Sequence, residues 1–358
     1  MERLLIINPG STSTKIAIYD DEKQVFVESI SHSSDKVGKY DKIADQYSFR
    51  MEVILSTLEL HGVKPESITG IVSRGGLLPP VKAGAYKINE DMVWQLRHAP
   101  ANEHASNLGA IIAHSIATEM DIPAFIYDAV TVDEMLPICK ITGLPEMERK
   151  GMGHNLNMRA AAMKYAKEHN KNYRDCTVIV AHLGGGISVS LHMDGRVADI
   201  LNDEDGPFAP ERAGVLPTFQ VIKIATSGKY TYETLMKKVK NNGGVMAYFG
   251  TNDTRDLEKM VEEGDKKARM LYEAMALSTA KGIAEEAAVA CGKVEAIVLT
   301  GGIAHSDMFN DMIRERVEFI APVIVYAGEN EMESLALGGL RVMRGQEEAR
   351  HFVKVEYK

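Results

Sequence analysis

Two short glycine-containing segments carry residue types that suit phosphate binding. NPGSTSTK at 8–15 lies between two apolar runs and offers backbone N–H groups, hydroxyls and the ammonium of Lys15. HLGGGIS at 182–188 contains three consecutive glycines, which let a ligand approach the backbone without side-chain interference. Successive N–H groups in such turns can hold phosphate oxygens. A plain hairpin with Ser and Thr chosen for turn propensity explains 8–15 equally well, whereas the glycine run favours a binding role for 182–188.

Two further segments could hold a nucleotide. LTGGIAHS at 299–306 places a Gly-Gly turn before a helix, where a flat group such as adenosine can pass close to the backbone; a tight strand-helix turn is an equal alternative. TNDTRD at 251–256 precedes a helix, and by itself it is better explained as a helix cap than as a nucleotide clamp. A dinucleotide fingerprint is not indicated, because Ile187 to His192 alternates like a strand where GxGxxG opens a helix.

Charged and imidazole side chains complete the candidate chemistry. Arg74 follows the apolar strand GIVS and could bind a carboxylate or a phosphate with two hydrogen bonds, although an isolated Arg there is usually structural. Asp128 ends another apolar strand, and open α/β sheets bind ligands beyond such ends. His154 lies in GMGHNLN, a setting that does not suit a core-packing histidine. His104, in the helical stretch 103–120, is more simply explained as a surface or locally bonded residue.

The strands that must position these residues occur twice in the chain. LLII, KIAIYD and KQVFVESI, separated by turns, fill the first thirty residues, and VIVAH, ISVSLHM and RVADIL repeat the pattern from 178. TGIVSRGG near 70 and EAIVLTGG near 296 form a second pair, and AFIYDAV near 125 and PVIVYAGENEM near 323 form a third. Because the three pairs keep the same order, we infer an internal duplication.

This duplication predicts two α/β domains, each beginning with a three-stranded antiparallel meander and continuing with alternating strands and helices. One lobe is expected to comprise 1–131 with 336–358 and the other 132–335, with 131–152 crossing between them and a cleft between the lobes. Helices that cover the sheets are expected in four amphipathic segments: 40–61, 103–120, 154–169 and 265–291.

Length and composition narrow the class of protein. At 358 residues, with 45% apolar and 25% charged residues, the chain is expected to be globular with two domains. The net charge of -9 argues against a nucleic-acid surface, which needs clustered Lys and Arg. No apolar stretch suits a secretory signal or a membrane span, so a cytoplasmic protein without membrane contact is expected. Cys139, Cys176 and Cys291 are scattered, which disfavours disulfides and a zinc site.

Taken in order, these motifs resemble those of the acetate and butyrate kinases, the acetokinase family of the actin-like, hexokinase-like ATPase superfamily. The resemblance runs from about residue 3 to about residue 345. It implies an α/β fold of two duplicated actin-like (ribonuclease H-like) lobes, each a mixed five-stranded sheet with helices, and an ATP cleft between them. It rests on residues at the family's motif positions: Asn8, Ser11, Ser13, Lys15, Arg74, Asp128, Arg149, His154, His182, Gly184, Asp253, Arg255, Gly301 and Gly302.

Three segments resemble the butyrate branch in particular: GHNLN at 153–157, GPFAPERAG at 206–214 and GENEMESLALGGLR at 328–341. Acetate kinases carry bulkier Val and Phe where this chain has Gly76 and Gly153. A larger acyl pocket is therefore expected, and with it a preference for butyrate or a branched relative. Since one methylene changes binding by only about 1–3 kcal/mol, several related acids are expected to react.

The resemblance also implies roles for individual residues. The 1–131 lobe would bind the acid and phosphate, and the other lobe the nucleotide. Arg74, Asp128 and His154 would be catalytic. Mg would be placed by Asn8 and Glu333, with Glu331 the next choice. ATP would be bound by Asn8, Ser11, Ser13, Lys15, His182, Gly184, Gly185, Gly186, Asp253, Arg255, Gly301, Gly302 and Ile303. The acid would be bound by Arg74, Gly76, His104, Gly153 and Glu211. The family's second active-site arginine has its nearest candidate in Arg212.

The implied reaction is the reversible, direct in-line transfer of a phosphoryl group from Mg-ATP to the carboxylate of butyrate, isobutyrate or another branched short-chain acid. A small carboxylic acid is the expected partner, and a homodimer or higher homo-oligomer is expected. An acetate or propionate kinase is one alternative. A non-enzymatic actin-like ATP switch is another, and it is disfavoured because this chain carries an acceptor site lined by His and Arg. A nicotinamide dehydrogenase would need the missing glycine fingerprint.

Overall fold

The computed structural model describes residues 1–40, 42–98, 103–202 and 205–355. Its strands, numbered in chain order, are β1 (Arg3–Pro9), β2 (Ser13–Asp20), β3 (Lys23–Ser31), β4 (Gly70–Arg74), β5 (Ala85–Lys87), β6 (Ala124–Tyr127), β7 (Val178–Leu183), β8 (Ile187–Met193), β9 (Arg196–Leu201), β10 (Ala296–Gly301), β11 (Val323–Ala327) and β12 (Arg350–His351).

The α-helices of the same described residues are α1 (Ser34–Val37), α2 (Tyr47–Leu60), α3 (Glu90–His98), α4 (Asn107–Met120), α5 (Pro137–Lys140), α6 (Asn155–Glu168), α7 (Thr218–Ala225), α8 (Tyr232–Lys240), α9 (Gly244–Phe249), α10 (Thr254–Glu262), α11 (Lys266–Val289), α12 (Asp307–Val317) and α13 (Glu331–Met343). Short 3₁₀ turns occur at Ile43–Gln46, Pro65–Ser67, Tyr173–Asp175 and Gly302–His305. The four amphipathic segments thus contain α2, α4, α6 and α11.

The chain divides into two compact units. Unit one comprises 1–133 with 330–358, and unit two comprises 134–329. The expected return to the first lobe at 336 falls inside α13, which begins at Glu331 and packs on β1, β4 and β6 of unit one. A continuous helix docks as one body, so the change of unit lies before its first turn.

Unit one is built on a seven-stranded sheet in the order β12-β5-β6-β4-β1-β2-β3. The meander β1, β2 and β3 is antiparallel, and β1, β4 and β6 run parallel. Apolar side chains of β1, β2 and α4 share one core cluster, which contains Ile7, Ile16 and Ile112. The five expected strands are present, and β5 and β12 extend the sheet beyond β6.

Unit two has a five-stranded sheet in the order β11-β10-β7-β8-β9. Alternate residues of β7 enter different cores: Ile179 packs into a cluster with α11, whereas Val178 and Val180 pack into a cluster with α6. Both faces of β7 are therefore covered, as is typical of the inner strands of an α/β sheet. The polar side chain of His182 follows at the end of this buried strand.

The two sheets repeat the same pairing in detail. Asn8 of β1 pairs with Lys15, and His182 of β7 pairs with Ser188, so the two strand ends are equivalent. Each meander has one irregularity, which falls after Ile18 in β2 and after the equivalent Leu191 in β8. The hairpin turns that follow hold Asp21 and Asp194 at φ values of 51° and 55°. This agreement confirms the α/β fold with two related sheets. In the described ranges, no helix has the length and apolar character needed to cross a membrane.

Candidate functional site

The turn between β1 and β2 lies at the surface of unit one. Gly10 to Thr12 form it, and the N–H of Gly10 donates to the carbonyl of Ser13 at 2.8 Å. Ser11, Thr12 and Lys15 are exposed. Of the residues predicted to contact phosphate, Ser11 and Lys15 are therefore open to solvent, and Ser13 is half-buried.

A buried arginine that the sequence analysis missed lies beneath this turn. Arg50 of α2 has an exposed fraction of 0% and donates to carbonyls of the turn. Its burial follows from helical spacing, because Ile54, Thr57 and Leu58 of α2 are also buried and lie on the same face. That spacing was a usable signal. An arginine in an amphipathic helix is nevertheless usually assigned to the solvent side, since charged residues are rarely buried.

The carboxylate of Glu331 joins the ends of β1 and β4. Asn8, buried at the end of β1, donates from Nδ2 to Glu331 Oε2 at 2.7 Å. Arg74, the last residue of β4, makes an ion pair through Nη1 with Glu331 Oε1. Glu331 begins α13, and a helix N-terminus favours negative charge. The structure thus brings Asn8 and Arg74 together at one carboxylate.

The oxygen atoms of Asn8 and Glu331 are suitable ligands for the Mg that the family resemblance implies. An amide oxygen and a carboxylate are hard oxygen ligands of the kind that Mg accepts alongside water and phosphate. Glu331 is the carboxylate bonded to Asn8, whereas Glu333, the first choice from sequence, accepts a hydrogen bond from Asn330 Nδ2. In the described ranges, no group of three or more His, Cys, Asp or Glu side chains forms a metal cage by itself.

The charge of Arg74 affects the protonation of His104. The backbone N–H of Ser106 donates to His104 Nδ1 at 3.2 Å, so the proton of the neutral ring is on Nε2. Burial, followed by the charge of Arg74, lowers the pKa of His104. At neutral pH this side chain is a neutral N–H donor beside Arg74.

Asp128 has a structural task at the end of β6. It is buried, has a φ of 41°, and its Oδ1 accepts a hydrogen bond from the N–H of Gly84 at 2.7 Å. The N–H of Asp128 donates in return to the carbonyl of Gly84 at 3.2 Å. Its carboxylate therefore fixes the segment before β5, and its catalytic role stays a proposal.

The packing around Gly76 contradicts the expectation of a larger acyl pocket there. A Cβ on Gly76 would lie 2.7 Å from Asn107 Cα and 2.8 Å from Leu96 Cδ2. The glycine lets α3 and α4 approach the loop after β4, and Asn107 Oδ1 accepts from the N–H of Leu77 at 2.7 Å. The space that a larger residue would fill is occupied by these helices.

In unit two, His154 and His182 form a stacked pair. Their ring centroids are 4.0 Å apart with an interplanar angle of 15°. Asn157 Nδ2 donates to Nδ1 of His182 at 2.8 Å, so the ring proton of His182 lies on Nε2, which is 3.2 Å from Glu329 Oε1. His154 Nδ1 bonds Ser188 Oγ at 3.0 Å. The structure brings both predicted histidines together beside the glycine turn.

The glycine turn after β7 is closely bordered by polar groups. A Cβ on Gly184 would lie 3.0 Å from His182 Nε2 and 3.2 Å from Glu329 Oε1, so a side chain there would crowd the pair. The N–H of Glu211 donates to the carbonyl of Gly185 at 3.2 Å. Asn252 Nδ2 in turn donates to Glu211 Oε1. Glu211 therefore connects the glycine turn to the segment 251–256.

Gly153 also fails to leave the expected space. A Cβ on Gly153 would lie 2.6 Å from Ile200 Cδ1 and 3.6 Å from Ser188 Oγ. The replacement of the Phe of acetate kinases by Gly153 is expected to leave open space, but the buried side chain of Ile200 lies there. This corrects the pocket argument at its second position.

The segment 251–256 caps a helix, as its local pattern favours. Asp253 accepts from the N–H of Arg255 at 2.9 Å at the start of α10. The Arg255 guanidinium also bonds this carboxylate and lowers the pKa of Asp253 to about 2. The Arg255 side chain is 87% exposed. The cap leaves Arg255 charged and accessible to solvent.

The Gly-Gly turn after β10 has one crowded and one open glycine. Gly301 has a φ of 94°, and a Cβ there would lie 2.4 Å from the carbonyl oxygen of Leu183. Around Gly302, by contrast, the described residues leave a Cβ without a neighbour within 4 Å. Ile303 follows in the 3₁₀ turn and is buried. The open face of Gly302 suits a flat ligand group.

Two arginines of unit two hold backbone. Arg149 bonds the carboxylates of Asp199 and Asp205 and the carbonyl of Ile200, and so ties the loop before His154 to β9. Arg212 donates from Nη1 to the carbonyl of Lys240 at 2.7 Å. Their active-site roles stay proposals.

A buried glutamate next to the Arg149 network predicts a pH-dependent stability. Glu286 of α11 is 0% exposed, and neither carboxylate oxygen has a hydrogen-bond partner among the described residues. Burial, and next the charge of Asp199, raises the pKa of Glu286 well above 4.5; Arg149, Glu285 and Asp205 also act on it. The folded protein keeps a proton that the unfolded chain releases, so stability falls as pH rises above about 4.5. Glu286→Gln is expected to raise Tm by about 3 °C or more at pH 8 and by less at pH 5.

Thermal melts of both proteins between pH 5 and pH 8 measure this difference. Glu262→Gln, an exposed change on α10, is the matched control and should leave Tm nearly unchanged. A constant gap between wild type and Glu286→Gln across this range would contradict the predicted titration.

Comparison with known proteins finds one matching family and several structures of similar fold. The profile of the acetokinase family matches residues 149–343. A propionate kinase from Francisella tularensis has 19% identity and a TM-score of 0.74, covering 94% of this chain and 99% of that chain. The acetate kinase of Porphyromonas gingivalis has 16% identity, a TM-score of 0.79 and coverages of 96% and 100%. The acetate kinase of Entamoeba histolytica has 15% identity, a TM-score of 0.76 and coverages of 94% and 98%.

These structural likenesses establish the shared fold. The profile match covers more than half of the chain and includes His154, the glycine turn of 184–186 and Glu331. The chain belongs to the acetokinase family.

Proposed function

We propose that this protein is an ATP-dependent kinase that phosphorylates the carboxylate of a short-chain fatty acid, with butyrate as the preferred acid. The observation that carries the proposal is the ion pair of Arg74 with Glu331. The guanidinium at the end of β4 already holds a carboxylate, which is the group that the acid would present. Family membership supports the same activity class.

The chemistry requires charge neutralisation more than proton transfer. A fatty-acid carboxylate is ionised at neutral pH, so it needs no strong base to become a nucleophile. One carboxylate oxygen forms a bond to the γ-phosphorus of ATP while the bond to the bridging oxygen of ADP breaks. Both reactants are anions, and donors must offset their repulsion and the charge on the equatorial oxygens.

Unit one is assigned to the acid. Arg74 would bind the carboxylate, with the neutral His104 donating from Nε2 beside it. Asp128 would act as a positioning residue through the backbone that it holds. The adjacent turn, with Ser11, Ser13 and Lys15, would donate to phosphate oxygens.

Unit two is assigned to the nucleotide. The glycine turn 184–186 would donate to the β- and γ-phosphates, and His154, stacked on His182, would donate to the equatorial oxygens of the transferring group. Arg255 with Asp253, and the open face of Gly302, would hold adenosine. Mg, carried with the phosphates, would supply further neutralisation, and Asn8 and Glu331 are the residues suited to hold it.

Because Gly76 and Gly153 face filled space, they do not support a larger acyl pocket. The proposed preference for butyrate therefore rests on the segments that resemble the butyrate branch. An acetate or propionate kinase is the second candidate. The names of the structurally similar proteins favour it.

An acyl-hydroxamate assay with ATP and a graded series of acids tests the proposal. Butyrate is expected to give the highest kcat/KM, with propionate roughly tenfold lower and acetate lower still, because each missing methylene loses apolar contact. Preference for acetate would refute the butyrate assignment alone. Lack of product with every acid would refute the kinase proposal itself.

Glu331→Gln is expected to separate binding of the acid from use of the metal. The amide keeps a hydrogen-bond acceptor for Asn8 but removes the charge that occupies Arg74. Without metal, butyrate should therefore bind several-fold more tightly, as measured by calorimetry. With ATP, the Mg concentration needed for half-maximal activity should rise about tenfold, because a carboxylate ligand is lost.

Glu333→Gln is the matched control, two residues along the same helix. It should leave butyrate affinity unchanged. If Glu333→Gln shifts the Mg requirement and Glu331→Gln does not, Glu333 is the metal residue, as first expected from sequence.

A further inference from the structure

The strongest unexplained feature of unit one is the arginine buried under the β1–β2 turn. Arg50 is 0% exposed, although arginine is among the residues least often buried. Its guanidinium donates to the turn and to Gln46, the residue one helical turn earlier. Nη1 donates to Gly10 O at 2.8 Å, Ser13 O at 2.9 Å and Thr14 Oγ1 at 3.1 Å, and Nη2 donates to Ser11 O at 3.1 Å. Gln46 Oε1 accepts from Nη2 at 2.9 Å and from Nε at 3.0 Å.

The partners of Arg50 are neutral. They are backbone carbonyls, a hydroxyl and an amide, and within the described residues no carboxylate forms an ion pair with it. Burying a charge without an opposite charge costs free energy that a neutral side chain would not. A full positive charge therefore remains under the turn, since arginine stays protonated in proteins.

The charge of Arg50 affects the pKa of a neighbouring histidine, His32. The N–H of His32 donates to Thr12 O at 2.8 Å, and its Nε2 bonds Thr14 Oγ1 at 2.8 Å. Burial lowers the pKa of His32, and the charges of Arg50 and Lys36 lower it further. His32 is thus neutral at neutral pH, and Arg50 supplies the buried charge at this place.

The bonds of Arg50 also set the direction of the turn's peptide groups. The carbonyls of Gly10 and Ser11 point inward to the guanidinium. In a trans peptide the N–H points away from the carbonyl, and the described residues contain no cis bond. The N–H groups of Ser11 and Thr12 consequently point to the exposed side. The positive ends of these two peptide dipoles therefore point to the exposed side of the turn, and the positive charge of Arg50 lies behind them.

We propose that Arg50 is the positioning residue of a phosphate-binding turn: it orients the N–H groups of Ser11 and Thr12 outward and adds an unbalanced positive charge behind them. The ligand class is a phosphoryl group, either the phosphates of ATP or an acyl phosphate. The identity of this ligand rests on the proposed function. The geometry of the turn does not depend on it.

Gln46→Glu tests the role of the charge. The new carboxylate keeps the acceptor for Arg50 Nε and Nη2 and neutralises the guanidinium. Calorimetry should give a Kd for ATP about tenfold higher than that of wild type, an unchanged Kd for adenosine, and a Tm that is not lower. Gln24→Glu, which places the same charge on exposed β3, is the control and should change neither affinity.

Arg50→Lys tests the role of the hydrogen bonds. The ammonium keeps the charge but cannot satisfy the carbonyls and Gln46 together, so ATP should bind several-fold more weakly while adenosine binds as before. Wild-type affinity for ATP in a folded Gln46→Glu or Arg50→Lys protein overturns the inference. A wild-type protein that binds no ATP at all instead refutes the proposed function.

Discussion

Replacing Arg74 with alanine is expected to lower kcat about a thousandfold. The guanidinium is the cation placed at the end of β4, and its ion pair with Glu331 shows that a carboxylate can reach it. If it neutralises the acid or the transferring phosphoryl, its loss removes stabilisation that grows in the transition state. The Kd for ATP should change by less than about threefold, because the nucleotide is assigned to other residues.

Steady-state kinetics of acid phosphorylation and calorimetry with ATP measure these two effects. Arg74→Lys should be intermediate, since lysine keeps the charge but not the two-pronged geometry. Arg344→Ala removes a surface arginine of unit one that pairs with Asp21 and Glu22, and it should change kcat by less than about twofold. A mild effect of Arg74→Ala would remove Arg74 from the catalytic set.

The second large effect is expected at His154, where alanine should reduce kcat about a hundredfold. The ring is held by stacking on His182 at 4.0 Å and by the bond from Nδ1 to Ser188 Oγ at 3.0 Å. A donor fixed in this way costs little reorganisation when charge develops on phosphoryl oxygens. KM for the acid should change little, because the contact is assigned to the transferring group.

Two further variants separate catalysis by His154 from general damage to α6. Ser188→Ala removes the hydroxyl that orients the ring and should lower kcat about tenfold with the fold intact. His169→Ala, at the end of the same helix, removes an exposed histidine and should leave kcat unchanged. Equal losses of kcat in His154→Ala and His169→Ala would point to destabilised α6 rather than to a lost donor.

Sequence alone determined the fold and the position of polar residues at strand ends. The alternation of apolar residues along the strands and the turns between them are local signals, and the repeat at 178 let each half support the other. Because chain order and strand ends follow from these signals, Asn8, Arg74 and His182 could be named as candidates. The closeness of Asn8 and Arg74 follows from the sheet order of unit one, in which β1 and β4 are neighbours.

Only the tertiary structure decided the contacts that depend on how helices dock. A step of two residues turns an α-helix by about 200°, so Glu331 and Glu333 cannot both face Asn8, and the docking of α13 selects Glu331. Gly76 and Gly153 suggested open space, but neighbouring side chains from distant segments fill it. Arg50 was hidden for the same reason: its partners lie about forty residues away in the turn, and burial of its charge depends on the packing of α2 against that turn.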